Sequence, residues 1–172
     1  MFGRFRKGAG PREPTGGERL EAAVRDALPE ADSETIHVVT AMAGLLAAVA
    51  YADRTFSDEE VARVRHELGR IHGMTSAGLD AISAVLERHL VEFSTLEIPR
   101  CCRTLLDLAD RELRVQILEA LVTLGAADGS LSTSETNVLR LVTKGLGLSQ
   151  HDYNEAQRHH RERIAAISPK NG

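Results

Sequence analysis

Tryptophan is absent from the 172-residue chain, and Phe and Tyr together raise the aromatic share to only 3%. A β-sandwich or barrel draws on Val, Ile, Tyr and Phe, so this scarcity argues against one. Ala and Leu dominate the apolar set instead, and they suit close helix packing. Cysteine is confined to Cys101 and Cys102. Adjacent cysteines close no loop and cannot staple a fold, which points to a reducing, cytoplasmic compartment. The net charge is −4, so nothing favours a nucleic-acid partner. No apolar segment follows the basic N-terminus as a secretory signal requires. From His37 to Ala52 there is no Asp, Glu, Lys or Arg, yet those sixteen residues fall short of the roughly 20 needed to cross a bilayer. They read as a buried central helix. There is also no nucleophile elbow, phosphate loop, HExxH or cofactor fingerprint, so the chain is expected to be non-enzymatic.

What is present divides the chain in three. Residues 1–17 are rich in Gly, Pro and basic residues and read as a disordered tail; residues 18–168 read as one helical domain, and 169–172 as a disordered end. Within residues 1–12, Arg4, Arg6, Lys7 and Arg12 face no acidic residue and interleave with Phe2 and Phe5. Such a tail is either simply solvated or a weak anchor that holds the protein peripherally at the inner face of the membrane or on an acidic partner. From Glu18 onward, apolar residues recur at spacings of three and four, and nowhere alternate with period two. The expectation is an all-α fold of seven to eight helices. Helix starts are expected at Ser33, Ser57, Ser76, Ser94, Arg111, Ser132 and Ser149. Ser94 and Glu97 read as a capping box with Pro99 in the first turn.

The body also repeats itself. Asp53 and Asp128 stand 75 positions apart, as do Glu60 and Glu135, and at that offset Phe56 matches Leu131 and Ser57 matches Ser132. After one slipped position, Gly73-Met74-Thr75 matches Gly147-Leu148-Ser149. Each copy is an apolar helix, Ala-Asp, a short loop with one inward apolar residue, then Ser and a Glu three later. Duplicated halves commonly pack about a pseudo-twofold axis, which would bring the two acidic loops near each other.

Ala127-Asp128-Gly129-x-Leu131-Ser132-x-x-Glu135, its partner Ala52-Asp53…Glu60, and Gly147-Leu148-Ser149 resemble the TerB-like family, named for a tellurite-resistance protein. The likeness runs from about Ile36 to Ile164. It implies a wholly helical fold of two such halves, an association with tellurite resistance and chemical stress, and metal binding by the acidic loops. The chain departs from the family pattern at Arg54, where Gly is usual. That puts in doubt whether the first loop holds the left-handed turn that Gly129 permits.

An EF-hand is excluded, because its first and third ligand positions would fall on Leu124 and Ala126, or on Val49 and Tyr51. Glu60 and Glu135 have a sufficient structural explanation as the far ends of capping boxes. Asp53 and Asp128 sit at the C-terminal ends of apolar helices, where the dipole disfavours an anion by roughly 0.3–1 kcal/mol. Either an Asx-turn or a bound cation offsets that, and oxygen ligands alone suit calcium or magnesium. Asp53, Glu60, Asp128 and Glu135 are therefore the candidate metal ligands. The competing function is a metal-free helical scaffold that binds protein partners. His151, Glu155 and His159 share a helix face at zinc-compatible spacing, but Arg158, Arg161 and Arg163 mark that face as solvated. His160 and the two cysteines read as packing residues.

Overall fold

Polar side chains that can accept a hydrogen bond from the backbone start almost every helix of this protein. A computed structural model describes residues 12–167. Its elements are α1 (Gly16–Ala27), α2 (Ser33–Ala50), α3 (Asp58–Gly69), α4 (Ser76–Arg88), a single turn α5 (Leu90–Glu92), a π-helical turn (Phe93–Glu97), α6 (Ile98–Leu108), α7 (Arg111–Gly125), a 3-10 turn (Ala126–Asp128), α8 (Thr133–Gly145) and α9 (Gln150–Ile167). No strand occurs among the described residues. Thr15, Asp32, Ser57, Thr75, Asp110, Ser132 and Ser149 each accept from the backbone N–H three residues on. Each cap satisfies one of the donors a helix start leaves orphaned, a contribution of about 1 kcal/mol. Of the disordered tail expected over residues 1–17, residues 1–11 lie outside the described residues, as does the end at 169–172, while Thr15, Gly16 and Gly17 form the start of α1.

Three local expectations meet a different outcome. The first helix starts before Glu18, because Thr15 and Glu18 form a full capping box around two glycines. Ser94 caps nothing. The backbone is already helical at Glu92 and Phe93, and the Ser94 hydroxyl donates back to the Val91 carbonyl at 3.1 Å. Pro99 has no N–H to offer the Thr95 carbonyl, and the widened π turn just before it absorbs that missing bond. Glu97, expected to reach back to Ser94, is instead buried at 8% exposure. The fourth helix, expected to run on to Glu92, breaks at His89 (φ −118°, ψ 22°).

The uncharged segment forms α2, and every residue from Ala43 to Ala50 is buried. A helix apolar on all sides needs neighbours on all sides. Here α1, α3, α6, α7, α8 and the π turn surround it. By length and composition α2 is apolar enough to span a membrane. In this fold its apolar surface is the centre of the core. Small residues set the packing distances: a methyl group on Gly44 would stand 3.0 Å from Cys101 Sγ and 3.2 Å from the Phe93 ring. At the other end, a methyl group on Gly125 would stand 3.3 Å from Val49 and 3.0 Å from Leu131. The C-terminal turns of α2 and α7, the two equivalent apolar helices, therefore meet just before the two acidic loops.

Candidate functional site

The two acidic loops close by the same backbone turn. Arg54 N–H donates to the Tyr51 carbonyl at 2.9 Å, and Gly129 N–H donates to the Ala126 carbonyl at 2.9 Å. Position 54 matches 129 and position 51 matches 126 at the repeat offset. Both closing residues are left-handed, with φ 68° at Arg54 and 96° at Gly129. The doubt over the first loop is thus resolved, since Arg54 takes the glycine conformation. An L-residue in that region costs roughly 1–2 kcal/mol, which the surrounding loop must offset. Inward Phe56 and Leu131 pin the two loops to the core from equivalent places.

The carboxylates have distinct partners. Asp53 Oδ1 accepts from Thr55 N–H at 2.9 Å and from the Thr55 hydroxyl at 2.6 Å, an Asx-turn. Those two bonds from Thr55 hold its carboxyl below the usual aspartate range. Glu60 Oε2 accepts from Ser57 N–H at 2.6 Å, and Glu135 Oε2 from Ser132 N–H at 2.7 Å, so both capping boxes are complete. Asp128 differs, because its Oδ1 accepts from Arg63 Nη2 at 2.6 Å, across from the other half. Arg63 also lies 3.7 Å from Glu59 Oε2. The guanidinium therefore sits between the second loop and the acidic first turn of α3, which carries Asp58, Glu59 and Glu60.

As a metal centre the four candidate ligands fit only in part. Each keeps one oxygen (Oδ2 of Asp53 and Asp128, Oε1 of Glu60 and Glu135) clear of these bonds. However, no three His, Cys, Asp or Glu side chains converge as a metal cage requires, among the described residues. Sequence reasoning passed over Arg63. On α3 it reads as one more exposed basic residue, and only the approach of the two halves gives it a partner.

The remaining candidates are structural. Glu155 is held by Arg158 at 2.7 Å and His159 Nδ1 lies 2.6 Å from Glu119 Oε1, so that face is a network tying α9 to α7. His160 is buried, and that burial, together with the nearby Arg163 guanidinium, lowers its pKa. Burial pushes the Cys101 thiol up to about 12 and Cys102 to about 11, far from a reactive thiolate. Asp152, also missed, caps α9 through Ser149 N–H at 2.8 Å and accepts from Arg111 Nη2 at 2.6 Å.

An all-helical domain built on two equivalent helix–acidic loop–helix units, crossing at the ends of their apolar helices, defines the class of protein to which this chain belongs. The family described as tellurite resistance protein TerB matches residues 39–158, well over half of the sequence. The chain belongs to that family. The match takes in both acidic loops and leaves out α1. No curated protein and no solved structure matches the chain.

Proposed function

We propose that the protein is a non-enzymatic module of the TerB family, serving in tellurite resistance and chemical-stress responses, and that its paired acidic loops take up a divalent cation. The observation that carries this reading is the placement of Arg63. The fold lodges one of its own cations between Asp128 and the acidic start of α3. A field that holds a guanidinium there also attracts a hard metal ion such as calcium or magnesium. Asp53, Asp128, Glu60 and Glu135 each have an oxygen to offer it.

Arg63 then acts as a competitor, and the metal must displace it from Asp128. The consequence is weak, exchangeable binding in the wild-type protein and tighter binding when Arg63 is removed. Calorimetric titration with Ca²⁺, Mg²⁺ and Mn²⁺ tests this on three proteins. Wild type should bind weakly, Arg63→Gln several-fold more tightly, and the Asp53→Asn, Asp128→Asn double variant not at all. Absence of heat, and of any thermal stabilisation at millimolar metal, in both wild type and Arg63→Gln would sink the cation reading while leaving the family assignment intact.

A further inference from the structure

With a net charge of −4 the protein is acidic overall, and its clefts follow suit. Those between α6 and α1–α2, between α3 and α4, between α1 and α4 and between α7 and α9 each carry at least one carboxylate. One pocket breaks the pattern. A cavity of about 340 Å³ lies where α9 passes over the second loop and the start of α8, and among the described residues no carboxylate lines it. Its polar walls are Ser130 of the loop, Thr136 of α8, and Gln157, His160 and Arg161 of α9. Each of these side chains can donate a hydrogen bond, and Arg161 adds a permanent positive charge.

Gln157, His160 and Arg161 stand at i, i+3 and i+4 and so share one face of α9. Their neighbours on that helix are already taken, Arg158 by Glu155 and Glu162, and His159 by Glu119. Arg161 and His160 have no carboxylate partner among the described residues. Gln157 gives one amide hydrogen to the Tyr153 hydroxyl at 3.3 Å and keeps the other. His160 is packed at 8% exposure, yet its ring forms part of the pocket wall. Burial, and then the guanidinium groups of Arg163 and Arg161, lower its pKa, so the ring stands in a positive field. The nearest carboxylates in the chain are engaged elsewhere, Asp128 by Arg63 and Glu135 by the Ser132 N–H. Uncompensated positive potential over a set of convergent donors is the complement of an oxyanion.

We infer that this pocket binds a phosphate group, from free phosphate or a small phosphomonoester, with Arg161 meeting its charge and Ser130, Thr136 and the Gln157 amide donating to its oxygens. A guanidinium suits this task because its planar fork of donors matches the geometry of phosphate oxygens. The cavity is larger than a bare phosphate requires, which leaves room for an organic substituent. The site uses none of Asp53, Glu60, Asp128 or Glu135 and takes a ligand of the opposite charge, so it stands apart from the cation reading.

The experiment is a calorimetric titration of the full chain, with a chelator present to remove divalent cations and about 0.15 M salt to screen surface attraction. The probes are inorganic phosphate, phenyl phosphate and, as an uncharged control, phenol. Both phosphates should bind and phenol should not. Tighter binding of phenyl phosphate identifies a phosphomonoester as the source, and equal affinity identifies free phosphate. Arg161→Gln, a change at an exposed position that leaves the core untouched, should weaken binding about tenfold or more, as loss of a charge-assisted hydrogen bond does. Thr136→Val should weaken it by a smaller factor. Arg158→Gln removes the same charge from the same helix outside the pocket, and should change affinity by less than about twofold. The Asp53→Asn, Asp128→Asn variant should bind phosphate at least as tightly as wild type, which separates a failure here from a failure of the cation reading. In NMR spectra, phosphate should move the ring resonances of His160 and leave those of His151 in place. Absence of binding by both phosphates at millimolar concentration, or equal losses in Arg161→Gln and Arg158→Gln, overturns the inference.

Discussion

The two acidic loops share one backbone and are stabilised by different means. The first is closed locally: Asp53 is held by Thr55 two residues on, and Arg54 occupies a left-handed conformation that an arginine adopts at a cost. The second is relaxed locally, with Gly129 at the left-handed position, and Asp128 is held from the other half by Arg63. At the repeat offset Arg63 corresponds to Val138, and among the described residues Asp53 has no ion pair in return. Duplication preserved the turn and let the partners of its aspartates diverge. A loop that closes on itself can tolerate a strained residue, and a loop tied across the domain depends on how the halves pack.

The largest expected effect comes from separating the loops where their helices meet. Gly125→Leu forces a side chain against Val49 and Leu131 and should cost about 1–3 kcal/mol in denaturant unfolding, as overpacking does. If the variant is as stable as wild type, the crossing of α2 and α7 is not the close contact described. Next come the caps. Ser57→Ala and Ser132→Ala should each cost about 1 kcal/mol, because the two capping boxes have the same geometry. A clear inequality between them would show that the halves are less equivalent than their backbones.

The closing turns should respond in opposite directions. Gly129→Ala should destabilise by about 1 kcal/mol through backbone strain alone, since nothing stands within 4 Å of the added methyl group. Arg54→Gly should be neutral to stabilising by up to about 1 kcal/mol, the relieved strain being partly offset by the added freedom of the unfolded chain. Equal signs in the two variants would contradict the assigned conformations. The smallest effects concern the aspartates. The Arg63–Asp128 pair is largely exposed, so a double-mutant cycle should give about 0.2–1 kcal/mol, falling with added salt. Asp53 has a folded pKa below its ordinary value of 3.8, so its contribution is present above that pH and is lost as pH falls through the folded value. Asp53→Asn should therefore flatten the acid limb of the stability profile, measured by thermal unfolding.

Much of the fold was legible in the residues because its signals are local. Ser57-x-x-Glu60 and Ser132-x-x-Glu135 specify helix starts through bonds spanning three positions, and both are formed. The same signature at Ser94-x-x-Glu97 misled, since a capping box requires a break in the chain before it and the backbone there is already helical. At Thr15 the signature was overlooked because two glycines follow, although Thr15 and Glu18 carry the same chemistry. At Arg54 the residue type argued against a left-handed turn, and the pull of Phe56 into the core together with the Thr55–Asp53 bonds prevailed.

Sequence by itself determined the helical class, the duplication, the paired caps at Ser57 and Ser132 and the burial of α2, because periodicity, capping and an uncharged helix act over a few residues or through composition. The tertiary structure decided which charges meet. Arg63 reaches Asp128 only because α2 and α7 cross at Val49 and Gly125, and Glu97 is buried only because the α1 side of the domain folds over it. Charge–charge contacts between distant segments depend on where whole helices lie, and a long side chain carries no mark of its partner until the packing has brought one within reach.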